Sequence, residues 1–428
     1  MNRTRIGAVT PGARYRISGF VENLRNKKKM AFLVIRDISG KLQVTVEKEK
    51  NAELAALVDQ LTLDSVVTVE GEVVANEYVK MGGMEMLPDT LRIESVAEAL
   101  PIQDDSDIDA RMDYRWIDLR REQNQLMLRL QTTLTAALRE FLLEREFVEI
   151  HTPKLIAAAS ESGSEVFEVK YFDTKAYLAQ SPQFYKQTMV GVYDRVFEVG
   201  PVFRAEKHAT TRHLNEYTSL DFEMGFIDSF ADVMQMETAL LQSVFRLLAA
   251  EYAEELALLG IELPDASRIP ALPFREAKER AAQRYGYRIR DPYDLEPEEE
   301  QKISQMVRED TGSDFAFITH YPAKKRPFYA MDDPQDAHYT LSFDLLFRGM
   351  EVTTGGQRIH DYAQQVEKME RLGMEIAEFS DYLRAHRNGL PPHGGLGIGL
   401  ERLTMKLAGA KNIREAALFP RDIHRLTP

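Results

Sequence analysis

The sequence predicts a multidomain α+β chain: a small five-stranded unit first, then a larger domain of mixed strands and helices. Three observations carry this. The 428 residues exceed what one ordinary core holds. Short Val-, Ile- and Leu-rich runs crowd residues 14–97. From residue 124 onward, helical and strand periods interleave to the end.

Each element follows from its residues. Segments 14–22 (RYRISGFVE), 30–36 (MAFLVIR), 41–46 (KLQVTV), 65–74 (SVVTVEGEVV) and 89–97 (DTLRIESVA) read as strands, with a turn at 38–40. Residues 51–61 (NAELAALVDQL) have helical spacing. Five strands with one helix after the third is the plan of an OB-fold β-barrel, a module that binds oligonucleotides. Residues 1–100 are assigned to it. Residues 101–123 are polar, lack a sustained period and read as a hinge. A helix follows, with Met127, Leu130, Leu134, Leu138 and Phe141 on one face. Further helices are expected at 231–250, 296–308 and 361–386, between strand pieces such as RVFEVGPVF and SFDLLFRGMEV. Residues 124–428 form this α+β domain.

Composition narrows the class. No apolar run is long enough to span a bilayer, and the first residues carry no hydrophobic leader segment. The absence of cysteine excludes disulfides and thiolate metal sites and suits a reducing cytoplasm. Net charge is −14, yet residues 1–50 hold 12 Lys/Arg against Glu22, Asp37, Glu47 and Glu49. A balance of +8 there leaves −22 for the rest. A basic front end on an acidic body points to a polyanion held at one end. The alternative, a solvated basic tail, fits poorly with strands that carry those charges.

Three charged segments then stand out: EFVEIHTPKL at 146–155, FRAEKHATTRHLNEYTSLDFEM at 203–224 and HGGLGIGLERL at 393–403. Singly each is weak. The second reads equally as a surface hairpin. The third contains Gly395-x-Gly397-x-Gly399, but no βαβ unit can follow it, so a dinucleotide fingerprint is excluded. Its glycines are expected to let a strand pass close under a flat ligand, with Arg402 on the helix behind.

In this order the three segments resemble the signature motifs of class II aminoacyl-tRNA synthetases. QSPQFYKQ at 180–187, MEVTTGGQRIHDY at 350–362 and LFPRDIHRLTP at 418–428 resemble the aspartyl-tRNA synthetase family in its compact archaeal and eukaryotic form. With the barrel, the resemblance covers essentially the whole chain. It implies a catalytic domain built on an antiparallel sheet flanked by helices, and a homodimer whose interface includes Pro153.

The resemblance also implies roles. ATP would be held by Arg204, Glu206, Arg212, His213, Leu214, Tyr217, Glu351, Gly399 and Arg402, with Arg204 and Arg402 as the catalytic arginines. The physics agrees: a carboxylate attacking a phosphorus brings two anions together, and arginine forks neutralise them. L-Aspartate would be held by Ser160, Glu161, Gln183, Lys186, Arg204, Asp221, Thr354 and Arg358. Lys186 and Arg358 would take its side chain, and Gln183 and Asp221 its amino group. Ser162 stands where the family usually has glycine. Mg2+ would sit on Asp344, Glu351 and Thr354, the last usually serine in relatives. Asp344 and Glu351 flank a strand in SFDLLFRGMEV, seven apart, so a bulge or turn must bring both to the metal. Otherwise they are a solvated strand face, and Lys186 taken alone is a snorkelling lysine.

On the barrel, Arg25, Phe32 and Gln43 match the family's tRNA anticodon contacts. Phe32 would stack on a base, or else be an ordinary core aromatic in its AFLVI run. Lys27, Lys28 and Lys29 would steer the backbone. The implied activity is aspartate–tRNA ligation in the cytoplasm, with no membrane partner. Glu22 and residues 76–80 leave open whether the aspartate tRNA alone or the asparagine tRNA as well is charged. The alternatives are an asparaginyl-tRNA synthetase, a synthetase-derived asparagine-forming enzyme and a non-catalytic tRNA-binding paralogue.

Overall fold

A computed structural model describes residues 2–157 and 166–428. Strands β1 (Ala13–Asn26), β2 (Met30–Asp37), β3 (Gly40–Glu47), β4 (Val66–Ala75) and β5 (Met84–Ser95) close into a barrel in the order β1-β2-β3-β5-β4. Alternate residues explain the closure: Ala31, Leu33 and Ile35 point into the core while Phe32 and Val34 point out. Helix α1 (Ala52–Val58), capped by the Asn51 side chain on the Leu54 amide, buries Leu54 and Val58 in that core. A bulge between Val21 and Asn23 lets β1 pair with β4 along its first half and β2 along its second. This unit ends at Ala110, and Arg111 opens the second.

The second unit begins inside the stretch expected to be a hinge. Short helices α2 (Ile108–Asp113) and α3 (Arg115–Asp118) occupy it. Arg115 is fully buried. Its Nη1 donates to Asp118 at 2.5 Å, and its Nη2 to the Glu415 and Ala417 carbonyls at 2.8 and 2.9 Å. Arg111 joins the same cluster through Asp118 and Glu415. Polarity here marks a charged core, not mobility.

Helix α4 (Glu122–Leu143) buries the predicted stripe from Met127 to Phe141. Short strands follow: β6 (Val148–Glu149), then the three-stranded sheet of β7 (Leu155–Ile156), β8 (Glu168–Tyr171) and β9 (Thr174–Leu178). The site is built from α5 (Gln183–Tyr193), β10 (Arg195–Phe203) and β11 (Glu216–Gly225). Next come α6 (Phe230–Glu251), α7 (Ala253–Leu258), β12 (Ala271–Pro273), α8 (Phe274–Tyr285), α9 (Pro297–Thr311) and β13 (Phe315–Thr319). The chain closes with β14 (Ser342–Phe347), β15 (Met350–Arg358), α10 (Tyr362–Arg371), α11 (Ser380–Arg387), β16 (His393–Gly399) and α12 (Leu400–Leu407). The helix expected over 361–386 is thus two, broken where Gly373 takes φ +70°.

Eight strands form one sheet, in the order β12-β13-β14-β15-β16-β11-β10-β6. It is antiparallel from β13 to β10 and parallel at both edges. Helices α4 and α6 cover one face, packing on Phe197, Leu220, Phe222, Phe343 and Leu396. The other face carries the site. No helix among the described residues is long and apolar enough to cross a membrane.

Arg115→Leu leaves Asp118 short of a partner and the Glu415, Ala417 and Leu418 carbonyls without their donor. It is expected to cost about 3 kcal/mol. Trp116, the chain's only tryptophan, reports it directly: the urea midpoint followed by its fluorescence should fall. An unchanged midpoint would mean the cluster adds no net stability.

Candidate active site

Strict alternation on β11 resolves the mixed character of its sequence. Leu220, Phe222 and Met224 face the helices, whereas Ser219, Asp221 and Glu223 face the opposite side. There a cavity of about 320 Å³ opens over the sheet. It is lined by Gln183, Lys186, Arg204, Glu206, Arg212, His213, Leu214, Tyr217, Asp221, Glu351, Thr354, Arg358, Gly399 and Arg402. The sequence placed all of these in one site. Ser160 and Glu161 lie outside the described residues.

At one end Gln183 and Lys186, one turn apart on α5, point inward. Lys186 is 2% exposed, and its Nζ meets Asp221 Oδ1 at 2.9 Å, the Leu396 carbonyl at 2.9 Å and Glu223 Oε2 at 3.2 Å. Arg358 donates from Nε to Glu223 Oε1 and from Nη2 to the Gly395 carbonyl, both at 2.9 Å. Burial alone would raise the Glu223 carboxyl; Arg358 and Lys186 hold it below the ordinary range. Glu223 was not among the predicted site residues, although it sits two positions from Asp221 on the same face. Gln183 Nε2 is buried and has no hydrogen-bond partner among the described residues. Beneath lies His393, 0% exposed, between the Pro391 carbonyl and Gln187; burial lowers it to about 4, so it is neutral at neutral pH.

The glycines of β16 do more than border the cavity. Gly395 faces Glu223 across the ladder and Gly397 faces Asp221. A Cβ on Gly395 would lie 2.2 Å from Glu223 Oε2 and 2.2 Å from the Phe222 carbonyl oxygen. On Gly397 it would lie 3.0 Å from Asp221 Oδ1. They make room for the two carboxylates beside them, while Gly397 and Gly399 also line the cavity.

At the other end the groups are cationic and less buried. The Arg204 guanidinium sits 5.7 Å from the Tyr217 ring centre. Leu214 packs with Met127, Met350, Met405 and Ile413 in an apolar cluster that Tyr217 adjoins. Arg402 donates from Nη1 to the Glu351 carbonyl at 3.2 Å and lies 3.4 Å from its carboxylate. His213 is pushed down to about 4 by burial, then by Arg402 and Arg212, so it is a neutral group here rather than one of the fixed cations. Arg212 is held by both oxygens of Glu300, each at 2.8 Å.

Asp344 and Glu351 do not share a strand. They lie on β14 and β15, joined by the Arg348–Gly349 turn, with a bulge between Leu345 and Leu346. Asp344 pairs across the ladder with Thr354, whose hydroxyl donates to Glu351 Oε1 at 3.2 Å. Burial raises Asp344, and Glu351 raises it further. Burial would raise Glu351 too, but Arg402, Arg212 and Arg326 bring it below the usual range. Asp344 does not line the cavity: Arg326, which does, pairs with its Oδ2 at 2.8 Å. Its Oδ1 is buried and lacks a well-aligned hydrogen bond among the described residues, with the Tyr321 hydroxyl beside the carboxylate. Arg326, stacked 3.8 Å over Tyr321, carried no local signal in the sequence.

On the barrel, Arg25 and Phe32 are cross-strand partners, and Phe32 pairs on its other side with Thr45. Phe32 therefore belongs to the outer face, not the core. Gln43 donates to Thr45 at 3.1 Å and to Glu85 at 3.0 Å; Glu85 also accepts from Asn76 at 2.7 Å. Glu85, only 8% exposed, organises this face and was missed. Arg25, Lys27 and Lys28 make no ion pair with another described residue, whereas Lys29 pairs with Glu49.

These two modules define the class. Residues 107–423 match the model of class II tRNA synthetases of the D, K and N type, and residues 15–94 that of an OB-fold nucleic acid binding domain. The chain belongs to this synthetase family. Within it, the chain is 42% identical to the aspartate–tRNA(Asp/Asn) ligase of Aeropyrum pernix, covering 97% of this chain and 96% of that one. It is 39% identical to the aspartate–tRNA(Asp) ligase of Pyrococcus abyssi, covering 97% of each. The asparaginyl-tRNA synthetase of Pyrococcus horikoshii, solved with asparaginyl-adenylate, superposes over 100% of both chains with a TM-score of 0.94 and 30% identity. The aspartyl tRNA synthetase of Entamoeba histolytica gives a TM-score of 0.87 at 32% identity, over 98% of this chain and 90% of that one.

Gly395→Ala forces its methyl onto a backbone carbonyl and a buried carboxylate. It is expected to cost about 3 kcal/mol and lower the melting midpoint. Gly399→Ala, whose Cβ meets nothing nearer than 3.8 Å, should melt with the wild type. Equal midpoints for both variants would dispose of the packing argument.

Proposed function

We propose that the chain is an aspartate–tRNA ligase that activates L-aspartate with ATP and esterifies it to tRNA. The observation that carries this is the cavity end where the Lys186 and Arg358 cations converge. Both groups carry N–H donors and no acceptor. An aspartate side-chain carboxylate only accepts, whereas an asparagine carboxamide would set its own NH2 against donors. This favours aspartate over the asparagine of the Pyrococcus horikoshii neighbour.

In this reading Asp221 and Gln183 hold the amino group. The substrate α-carboxylate attacks the α-phosphorus of ATP, its oxygen bonds to phosphorus, and pyrophosphate leaves. Arg204 neutralises the charge that gathers there, with Arg212 and Arg402 on the outer phosphates. The terminal ribose hydroxyl of tRNA then attacks the mixed anhydride, releasing AMP. No protein nucleophile is needed; positioning carries the rate. Asp344, Glu351 and Thr354 supply hard oxygens, one of them a buried Oδ1 that lacks a well-aligned hydrogen bond among the described residues, and would hold a Mg2+ that neutralises phosphate charge.

The barrel face around Arg25, Phe32 and Gln43 is assigned to the anticodon. Exposed Leu143, Val148 and Leu155 flank Pro153 beside the edge strand β6, which supports a homodimer through that edge. We place the enzyme in the cytoplasm.

The deciding experiment is pyrophosphate exchange and charging of purified aspartate and asparagine tRNAs with each amino acid. Exchange should require aspartate; exchange driven by asparagine would overturn the assignment. Lys186→Leu, checked for folding by circular dichroism, should lower aspartate-dependent exchange by about 100-fold or more. Wild-type turnover would remove Lys186 from the mechanism. Phe32→Ala should weaken tRNA charging by ~1–3 kcal/mol and spare exchange. Equal loss in both assays would return Phe32 to a structural role.

A further inference from the structure

Helix α9 contributes no segment to the motifs that resemble the family, yet its first turn reaches the nucleotide end of the cavity. Glu300 is 4% exposed. Its two oxygens grip Arg212 Nη2 at 2.8 Å each, and Oε2 also accepts the backbone amide of Glu351 at 3.0 Å. One carboxylate therefore ties the arginine-bearing segment before β11 to the strand that carries Glu351. Its own support is stiff: Ile303, Met306 and Val307 of α9 pack into a core with Phe274, Ala316, Ile318 and Leu346. The turn between β14 and β15 rests on the same helix, since a Cβ on Gly349 would lie 3.3 Å from the Gln301 Cα. The three glutamates of the first turn, Glu298 to Glu300, sit where the helix dipole favours negative charge.

We infer that Glu300 is a positioning residue for the outer phosphates of ATP, acting through Arg212 and the Glu351 backbone. The inference rests on the ATP reading above. A free arginine fork beside a triphosphate samples many rotamers; one pinned by a buried carboxylate keeps its remaining N–H groups aimed into the cavity and loses less entropy when phosphate arrives. The same contact fixes the register of Glu351 relative to that fork. Glu300 itself does not touch substrate in this arrangement.

Glu300→Gln preserves size and one acceptor but weakens the grip on the fork. The expected result is a rise of about tenfold in the KM for ATP in aspartate-dependent pyrophosphate exchange, with the KM for aspartate within about twofold of wild type. Calorimetric titration with ATP in Mg2+ buffer should show the same loss without any turnover. In an Arg212→Ala background, Glu300→Gln should add little further, because glutamine keeps an acceptor for the Glu351 amide and loses only the grip on that arginine. Glu300→Asp, which keeps the charge, should recover part of the loss. An unchanged ATP affinity in both assays overturns the inference. So does an equal rise in both KM values with a lower melting midpoint, or a full additional effect in the Arg212→Ala background. Wild type that binds ATP but gives no aspartate-dependent exchange would instead sink the functional reading, and the calorimetric comparison would still judge Glu300.

Discussion

The floor of the cavity is a buried exchange of charge among Lys186, Arg358, Asp221 and Glu223, and much else in the catalytic domain is a condition for it. None of the four could be buried alone, since an unpaired ion in such a place costs several kcal/mol. Together they sum to zero. Balance requires Asp221 and Glu223 on one face of β11, which two-residue spacing supplies. It requires β16 to pass directly beside them with no side chain opposite, which Gly395 and Gly397 supply. It also requires that no further charge sit beneath. Burial keeps His393 neutral, held by a carbonyl and an amide side chain.

The two ends of the cavity treat charge differently. At the end around Lys186 and Arg358 the cations are already paired with Asp221 and Glu223, so that end carries no net positive charge from these four groups. At the other end Arg204 and Arg402 are about a third and a fifth exposed, with Glu206 and Glu351 beside them. In the proposed reaction these more exposed arginines meet the phosphates, where electrostatic stabilisation accelerates a reaction.

Much of this was legible in the sequence because it is local. Periods of two and of helical spacing gave the barrel strands and the buried stripe of α4. The charged motifs gave the cavity lining at both ends. What escaped depends on contacts between distant segments. Glu223 lies within a recognised motif, yet nothing in its neighbourhood says that Lys186 and Arg358 close on it from 37 and 135 residues away. Glu300 reads as one more acid in a solvated first turn. Arg326 has no periodic or motif context. Arg115 was hidden by its own polarity: a charged, aperiodic stretch looks like a linker until the carbonyls of residues 415–418 fold back onto it. Asp344 and Glu351, expected to need a bulge or turn between them, have both: the Arg348–Gly349 turn and the bulge at Leu345 and Leu346.

The reverse face of the sheet carries the last constraint. Glu237, on α6, is fully buried, with Thr353 as its side-chain neighbour. Burial pushes it up to about 8, and the charge of Asp344 pushes the same way. It is therefore protonated at neutral pH. An ionised Glu237 would add a third negative charge behind Asp344 and Glu351. The hairpin of β14 and β15 tolerates two carboxylates because each has its own arginine. A neutral acid on the far side keeps that count intact. Because the folded value lies above that of the unfolded chain, the stability Glu237 allows is complete in acid and declines as pH climbs past about 4.5 toward 8. The hydrophobic contact between α6 and the sheet has to exceed that loss, and the continuous core from Val233 to Leu248 against Phe317, Phe343 and Ile398 is placed to do so.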